Sequence, residues 1–229
     1  MALIIVWEPG TLEHYWDELK IRVRRLLRSK IFDAIEQGNK DLVLKLASPR
    51  KLHRARSEYG SRPLAASISA KQSDIACALV DQGGYVRGDG AVAHATMWGD
   101  IAVLKKLIDV GADLNESLPP SRVERGWTPL MWATNRHNFE AMKLLLEAGA
   151  ELNAVASDGT TAVMCTRAGT NNDLVALDIL CAYGPKLTMK DWRGRTILDE
   201  ARDRAKCSNM PAMNEILKRH FPDLILHET

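Results

Sequence analysis

Gly126-Trp-Thr-Pro-Leu-Met-Trp-Ala-Thr134 and, ten residues on, Leu144-Leu-Leu-Glu-Ala-Gly-Ala-Glu-Leu-Asn153 decide the fold. Thr128 offers a hydroxyl that can cap a coming helix, and Pro129 fits the first helical turn, where no amide hydrogen is needed. Leu130 and Ala133, then Met142, Leu145 and Leu146, recur at helical spacing and give two short helices an apolar stripe each. Gly149 suits a left-handed residue that ends the second helix. Two such helices cannot bury both faces alone, so the unit must stack on neighbours of its own kind.

The neighbours are present. A pair of aliphatic residues followed by glycine recurs at Gly83, Gly111, Gly149 and Gly184, with spacings of 28, 38 and 35. A second series opens at Arg62-Pro-Leu-Ala65, Gly90-Ala-Val-Ala93, Thr128-Pro-Leu-Met131, Thr161-Ala-Val-Met164 and Thr196-Ile-Leu-Asp199, separated by 28, 38, 33 and 35 residues. Two independent landmarks run in step. A five-residue deletion in one connection is followed by a five-residue insertion in the next.

These residues resemble the ankyrin repeat, a unit of about 33 residues that opens on Thr-Pro-Leu-His. Gly126 to Asn153 is the copy most similar to it, Gly159-Thr-Thr-Ala-Val163 opens the next, and Asp191 to Ala201 looks like a closing cap. Ser29 to Gly38 with Asp41 to Leu46 looks like an opening helix pair. The resemblance implies an all-α ankyrin-repeat solenoid with β-turn or hairpin fingers and an N-terminal helical extension, six units counting caps. The expected organisation is an extended arm and basic amphipathic helix at 1–28, the repeat array at 29–221 and a tail at 222–229. The signature His is absent: Ala65, Ala93, Met131, Met164 and Asp199 stand in its place. The unit opening at Gly90 lacks both Thr and Pro and should lean on its neighbours. The unit beginning at Asp158 carries about two extra residues near Thr170 to Asp173, which should distort its inter-helix turn.

The 229 residues are 46% hydrophobic and 26% charged, a globular balance that excludes a wholly disordered chain. The net charge of +2 argues against a polyelectrolyte function for the whole chain. No run of about 18 apolar residues suggests a membrane span, and Met1 to Trp7 lacks the features of a secretory signal. Cys77, Cys165, Cys181 and Cys207 lie far apart, without a CxxC pair, and read as packed thiols rather than zinc ligands. A cytoplasmic monomer without cofactor or metal is expected, and delivery into a host cell is compatible with such a module.

Catalytic templates are missing: no Gly-x-Ser-x-Gly elbow, no Walker-type loop, no His-Glu-x-x-His. Gly88-Asp-Gly90 reads as a tight turn forced by the shortened connection. No catalytic residue is assigned, and a non-enzymatic role is expected. The resemblance instead implies a concave face, lined by fingers and inner helices, that docks a partner protein to block or recruit it. The matching positions are Trp127, Arg125, Trp98, Met97, Asn135, Arg136, Trp192, Arg193, Arg195 and Arg204. Trp and Arg are the residue types that most often anchor interfaces. Trp127 is the expected main anchor, and Trp132 a core residue.

The long finger from Glu116 to Arg125, stiffened by Pro119 and Pro120, reads as a partner contact whose removal the fold would tolerate. Asn115 and Asn153 read as closing their own hairpins through side-chain hydrogen bonds. The alternative function is binding to nucleic acid or an acidic membrane surface. It would use the basic helix from Lys20 to Lys30 and two basic clusters. Arg50, Lys51, Arg54, Arg56 and Arg62 surround the first finger, and Lys186, Lys190, Arg193 and Arg195 the last. No nucleic-acid motif accompanies them.

Overall fold

The computed structural model describes residues 30–57, 61–118, 126–166, 170–199 and 210–223. The expected arm and basic helix at 1–28 lie outside this set, as do Arg125, Arg204, Cys207 and most of the tail. The chain divides into two compact units, 1–84 and 85–229.

In the first unit, α1 (Lys30–Glu36) pairs with α2 (Lys40–Leu46), and α4 (Pro63–Ser69) pairs with α5 (Ser73–Asp81). The pairs stack, α1 on α4 and α2 on α5, around Phe32, Ile35, Leu64, Ile68 and Leu79, all buried. Between them lies α3 (Pro49–Arg54), a helix where the sequence suggested only a basic finger. Pro49 starts it, and Lys51, His53 and Arg54 fill its last turn, where positive charge suits the helix dipole. Leu52 is buried, and His53 Nε2 reaches the Gly83 carbonyl at 2.9 Å, beyond the end of α5. Arg62 and Arg56 both donate to the His53 carbonyl, so these two guanidiniums are already engaged within the fold.

The second unit has two layers. α6 (Ala91–Trp98), α8 (Pro129–Asn135) and a 3-10 turn (Val163–Thr166) form the inner row. α7 (Ile101–Asp109), α9 (Phe139–Glu147) and α10 (Asn171–Cys181) form the outer row, and α11 (Met210–His220) packs on α10. Leu104, Leu107, Leu130, Met131, Met142, Leu145 and Leu177 are fully buried between the rows, which is why the 3.6-residue stripes were legible. Each such side chain contributes about 1.5–3 kcal/mol.

Gly149 ends α9 in the left-handed region at φ 89, and the Ala150 N–H returns to the Leu145 carbonyl. Gly83, Gly111 and Gly184 take the same conformation, so the glycine series marks real helix ends. Thr128 caps α8 through the Met131 N–H, as its position promised. A third series had gone unread: Asn39, Asp100 and Asn138 each cap an outer helix, accepting from Leu42, Val103 and Ala141.

The fifth pair departs from this scheme. Its inner element is only four residues of 3-10 helix, while Thr170 and Asp173 form a capping box that starts α10 cleanly. The Met164 N–H bonds to the Thr161 carbonyl, which leaves the buried Thr161 hydroxyl without a hydrogen-bond partner. Among the described residues the units hold five helix pairs, with 197–199 and α11 where a sixth is expected. No strand occurs among the described residues. The fingers are tight turns closed by bonds such as Ala156 N–H to Thr160 O and Asp191 N–H to Arg195 O, both 2.9 Å.

Candidate functional site

Within the second unit the fingers lie at 85–90, 112–118 with 126–128, 150–160 and 185–196, and side chains lash each to the next. Asn115 Oδ1 accepts from the Glu151 N–H at 2.8 Å, and Asn153 Oδ1 from the Lys186 N–H at 2.7 Å. These asparagines therefore join neighbouring fingers, whereas the sequence reading had them closing their own. One unit supplies the oxygen and the following unit the N–H, a pairing that exists only once units stack.

Glu116 is the densest node. It is only 8% exposed, although it opens a finger read as a surface insertion. Oε1 accepts from the Val92 N–H at 3.2 Å, and Oε2 from the Gly88 N–H at 2.8 Å and the Tyr85 hydroxyl at 3.3 Å. The Tyr85 oxygen in turn accepts from the Asp113 N–H at 2.9 Å. Gly90, the N-cap of α6, has no side chain to cap with, so Glu116 of the next unit supplies the missing oxygen. Burial pushes the Glu116 carboxyl above its ordinary range and the Tyr85 phenol up to about 12, with Glu116 adding to the latter. Glu116 and Leu118 are buried, so the expectation that the whole segment from Glu116 could be removed harmlessly is corrected. Residues 119–125 lie outside the described set.

The predicted site residues fall into two rows. Trp127 stands at the finger end of α8, while Met97, Trp98, Asn135 and Arg136 stand at the far ends of α6 and α8. Seven residues of helix separate the rows by about 10 Å. Trp127 is half-buried, its ring tilted on Trp132 with centroids 5.1 Å apart. Both indole N–H groups are buried without a hydrogen-bond partner. Trp132, expected in the core, is half-buried too. Trp98, the last residue of α6, is 45% exposed, and Arg136 is exposed beyond α8. Met97 and Asn135 are half-buried.

Trp192 is 66% exposed on the 185–196 finger, with the Arg193 guanidinium 4.7 Å from its ring centre. The backbone beneath it is fixed on three sides. Trp192 N–H bonds to the Asp158 carbonyl, Asp191 Oδ1 accepts from the N–H groups of Arg193 and Arg195, and Gly159 lies against Asp191. Arg195 is half-buried below this tip.

His137 holds φ 54 in the turn after α8, and its Nε2 lies 2.7 Å from Asp173 Oδ1, joining that turn to the start of α10. Burial raises the Asp173 carboxyl, but bonds from His137 and Thr170 outweigh it and leave its pKa below the ordinary value. A depressed folded pKa means stability that is present above the unfolded pKa and lost as pH falls through the folded one. Asp173→Asn is therefore expected to cost about 2 kcal/mol at neutral pH. The gap between the two proteins should shrink in acid, checked by urea unfolding at several pH values. A gap that stays constant into acid would show that the charge plays no part.

Cys165 and Cys181 are buried and Cys77 is half-buried. Burial, with Asp178 adding, pushes the Cys181 thiol up to about 12, so it is no nucleophile at neutral pH. Among the described residues no His, Cys, Asp and Glu group could hold a metal ion, and no helix is long and apolar enough to cross a membrane.

Residues 92–191 match the ankyrin repeat family, in three copies. An ankyrin-repeat domain from Acinetobacter baumannii superimposes with a TM-score of 0.71 at 24% identity, covering 83% of this chain and 97% of that one. A chain from the complex of the Bd0816 predatory endopeptidase of Bdellovibrio bacteriovorus with immunity protein Bd3460 does so with a TM-score of 0.64 at 24% identity. That match covers 82% of this chain and 98% of the other. Over 84 residues, 36% of its length, the chain is 32% identical to ankyrin repeat, SAM and basic leucine zipper domain-containing protein 1 of Atelerix albiventris. The match spans 17% of that relative. Ankyrin repeats are general protein–protein interaction modules, typically without catalytic activity. The glycine-ended helix pairs, the tight-turn fingers and the matched copies agree: residues 92–191 of this chain are three ankyrin repeats, in a fold shared with solved ankyrin-repeat domains.

Proposed function

We propose that this protein is a non-catalytic docking module that binds a partner protein on the finger and inner-helix side of its second unit. The observation that carries the reading is Trp192, a tryptophan two-thirds exposed on a backbone already fixed by its neighbours. An aromatic anchor displayed on a rigid turn loses little entropy on binding, which is what makes interface hot spots strong. Trp98 and Arg136 are the second exposed anchor set, and the half-buried Trp127–Trp132 pair adds further aromatic surface. Arg125 and Arg204 belong to the same proposal by sequence position. Residues 29–221 act as the array, with 1–28 as an extension and 222–229 as a tail.

The structures of the Bdellovibrio complex and the Acinetobacter domain support the choice of fold. The partner is read from this chain's own surface. Affinity capture from the native source, followed by titration of the purified partner against variants, tests the proposal. Trp127→Ala is expected to weaken binding by about 2 kcal/mol, roughly 30-fold, with the thermal midpoint recorded to separate lost packing from lost contact. Unchanged affinity for Trp127→Ala, Trp98→Ala and Trp192→Ala alike would move the docking face elsewhere.

A further inference from the structure

We infer that the 185–196 finger is the docking point for a short acidic polypeptide segment carrying an apolar residue that lies on Trp192. The inference rests on the docking reading above and adds the chemistry of the partner. From Lys186 to Asp199 the sequence holds four cations, Lys186, Lys190, Arg193 and Arg195, against two carboxylates, Asp191 and Asp199. The carboxylates are turned inward to the backbone: Asp191 accepts two N–H groups of its own turn, and Asp199 accepts the N–H and hydroxyl of Thr196. Three of the cations are turned outward, while Arg195 is half-buried. Lys186, Lys190 and Arg193 are exposed, and among the described residues no carboxylate pairs with any of them. Arg193 covers part of the Trp192 ring instead, which places a cation at the edge of the most exposed large apolar surface described in the chain.

The pattern favours a polypeptide over a phosphate backbone. A nucleic acid needs cations spaced along a track, and adjoining fingers interrupt it. The 150–160 finger brings Glu151 and Asp158, and at 112–118 Arg87 is already held by Asp113 at 3.0 Å. Among the described fingers of the second unit, exposed cations without a carboxylate partner thus lie on this one finger, the size of a peptide of a few residues. Carboxylates on that peptide would meet Lys186, Lys190 and Arg193, while an aliphatic or aromatic side chain covers the open part of the indole.

The test is selection of a displayed random 12-residue peptide library on the full chain, followed by titration of the enriched synthetic peptides. Enrichment of sequences with several Asp or Glu around one apolar residue is expected. Their binding should weaken at least tenfold in Trp192→Ala and in Lys190→Glu, and should fall as NaCl rises. Both positions are exposed, so unchanged melting of these variants will show that the fold is intact. Enriched peptides that are neutral or basic, or acidic ones indifferent to both substitutions, overturn the inference. If such peptides instead depend on Trp98 and Arg136, the acidic-segment inference falls while the docking reading stands. Tighter binding of a 12-nucleotide single strand or of phosphatidylserine vesicles through Trp192 would overturn both.

Discussion

Glu116→Ala is expected to lower the unfolding free energy by about 3 kcal/mol, the largest effect of any single polar substitution in the second unit. Three donors lose their acceptor at once: the N–H groups of Gly88 and Val92 and the Tyr85 hydroxyl. Val92 is fully buried, so water cannot replace the carboxylate there, whereas exposed Gly88 can be rehydrated. Glu116→Gln separates shape from acceptor capacity. Its amide keeps one oxygen and turns an NH2 toward a backbone N–H, so about half of the loss is expected.

The pH dependence runs opposite to that of Asp173. The folded pKa of Glu116 is raised, so between the unfolded and folded values the native state holds a proton that the unfolded state has released. Stability from this group is fully present below the unfolded pKa and is lost as pH rises through the folded value. Urea midpoints and hydrogen exchange across 86–96 give the readout. A loss under about 1 kcal/mol for the alanine variant would remove Glu116 from its capping role.

Gly159→Ala is expected to cost about 3 kcal/mol and, in addition, to weaken binding at Trp192. Two penalties combine. Gly159 sits at φ 78, and a Cβ there would lie 2.9 Å from Asp191 Cα and 3.0 Å from the Lys190 carbonyl oxygen. Neither contact is with a flexible side-chain end, so relief requires the 185–196 finger to move. Gly149→Ala is the internal control: φ is 89, but nothing lies within 4 Å of the added carbon, so only the conformational cost of about 1 kcal/mol applies. Thermal unfolding of the pair measures the difference. Equal losses would mean that the contact between the fingers carries no energy.

Much of the fold was legible because it is written in local terms. Capping Thr128, first-turn Pro129, the Leu and Met stripe and helix-ending Gly149 act within a few residues of themselves. Repetition at nearly one period then implied stacking. The same local reading took Arg50 to Arg62 as finger decoration, because Pro49 to Arg54 is too short to show a helical stripe. Only the contacts of Leu52 and His53 with Gly83 and Gly84 explain that helix. At the candidate site, sequence singled out the right kinds of residue but not their environments. Trp127 and Trp192 both belong to fingers, yet one lies half-buried on Trp132 and the other stands two-thirds exposed.

The ankyrin repeat itself, the helix ends and the identity of the core are properties of the sequence, because each rests on backbone preference and apolar spacing over a few residues. Glu116, Asn115, Asn153 and Asp173 were decided by the tertiary structure. Their partners lie 24 to 36 residues away, and an acceptor's energy depends on which buried donor it meets.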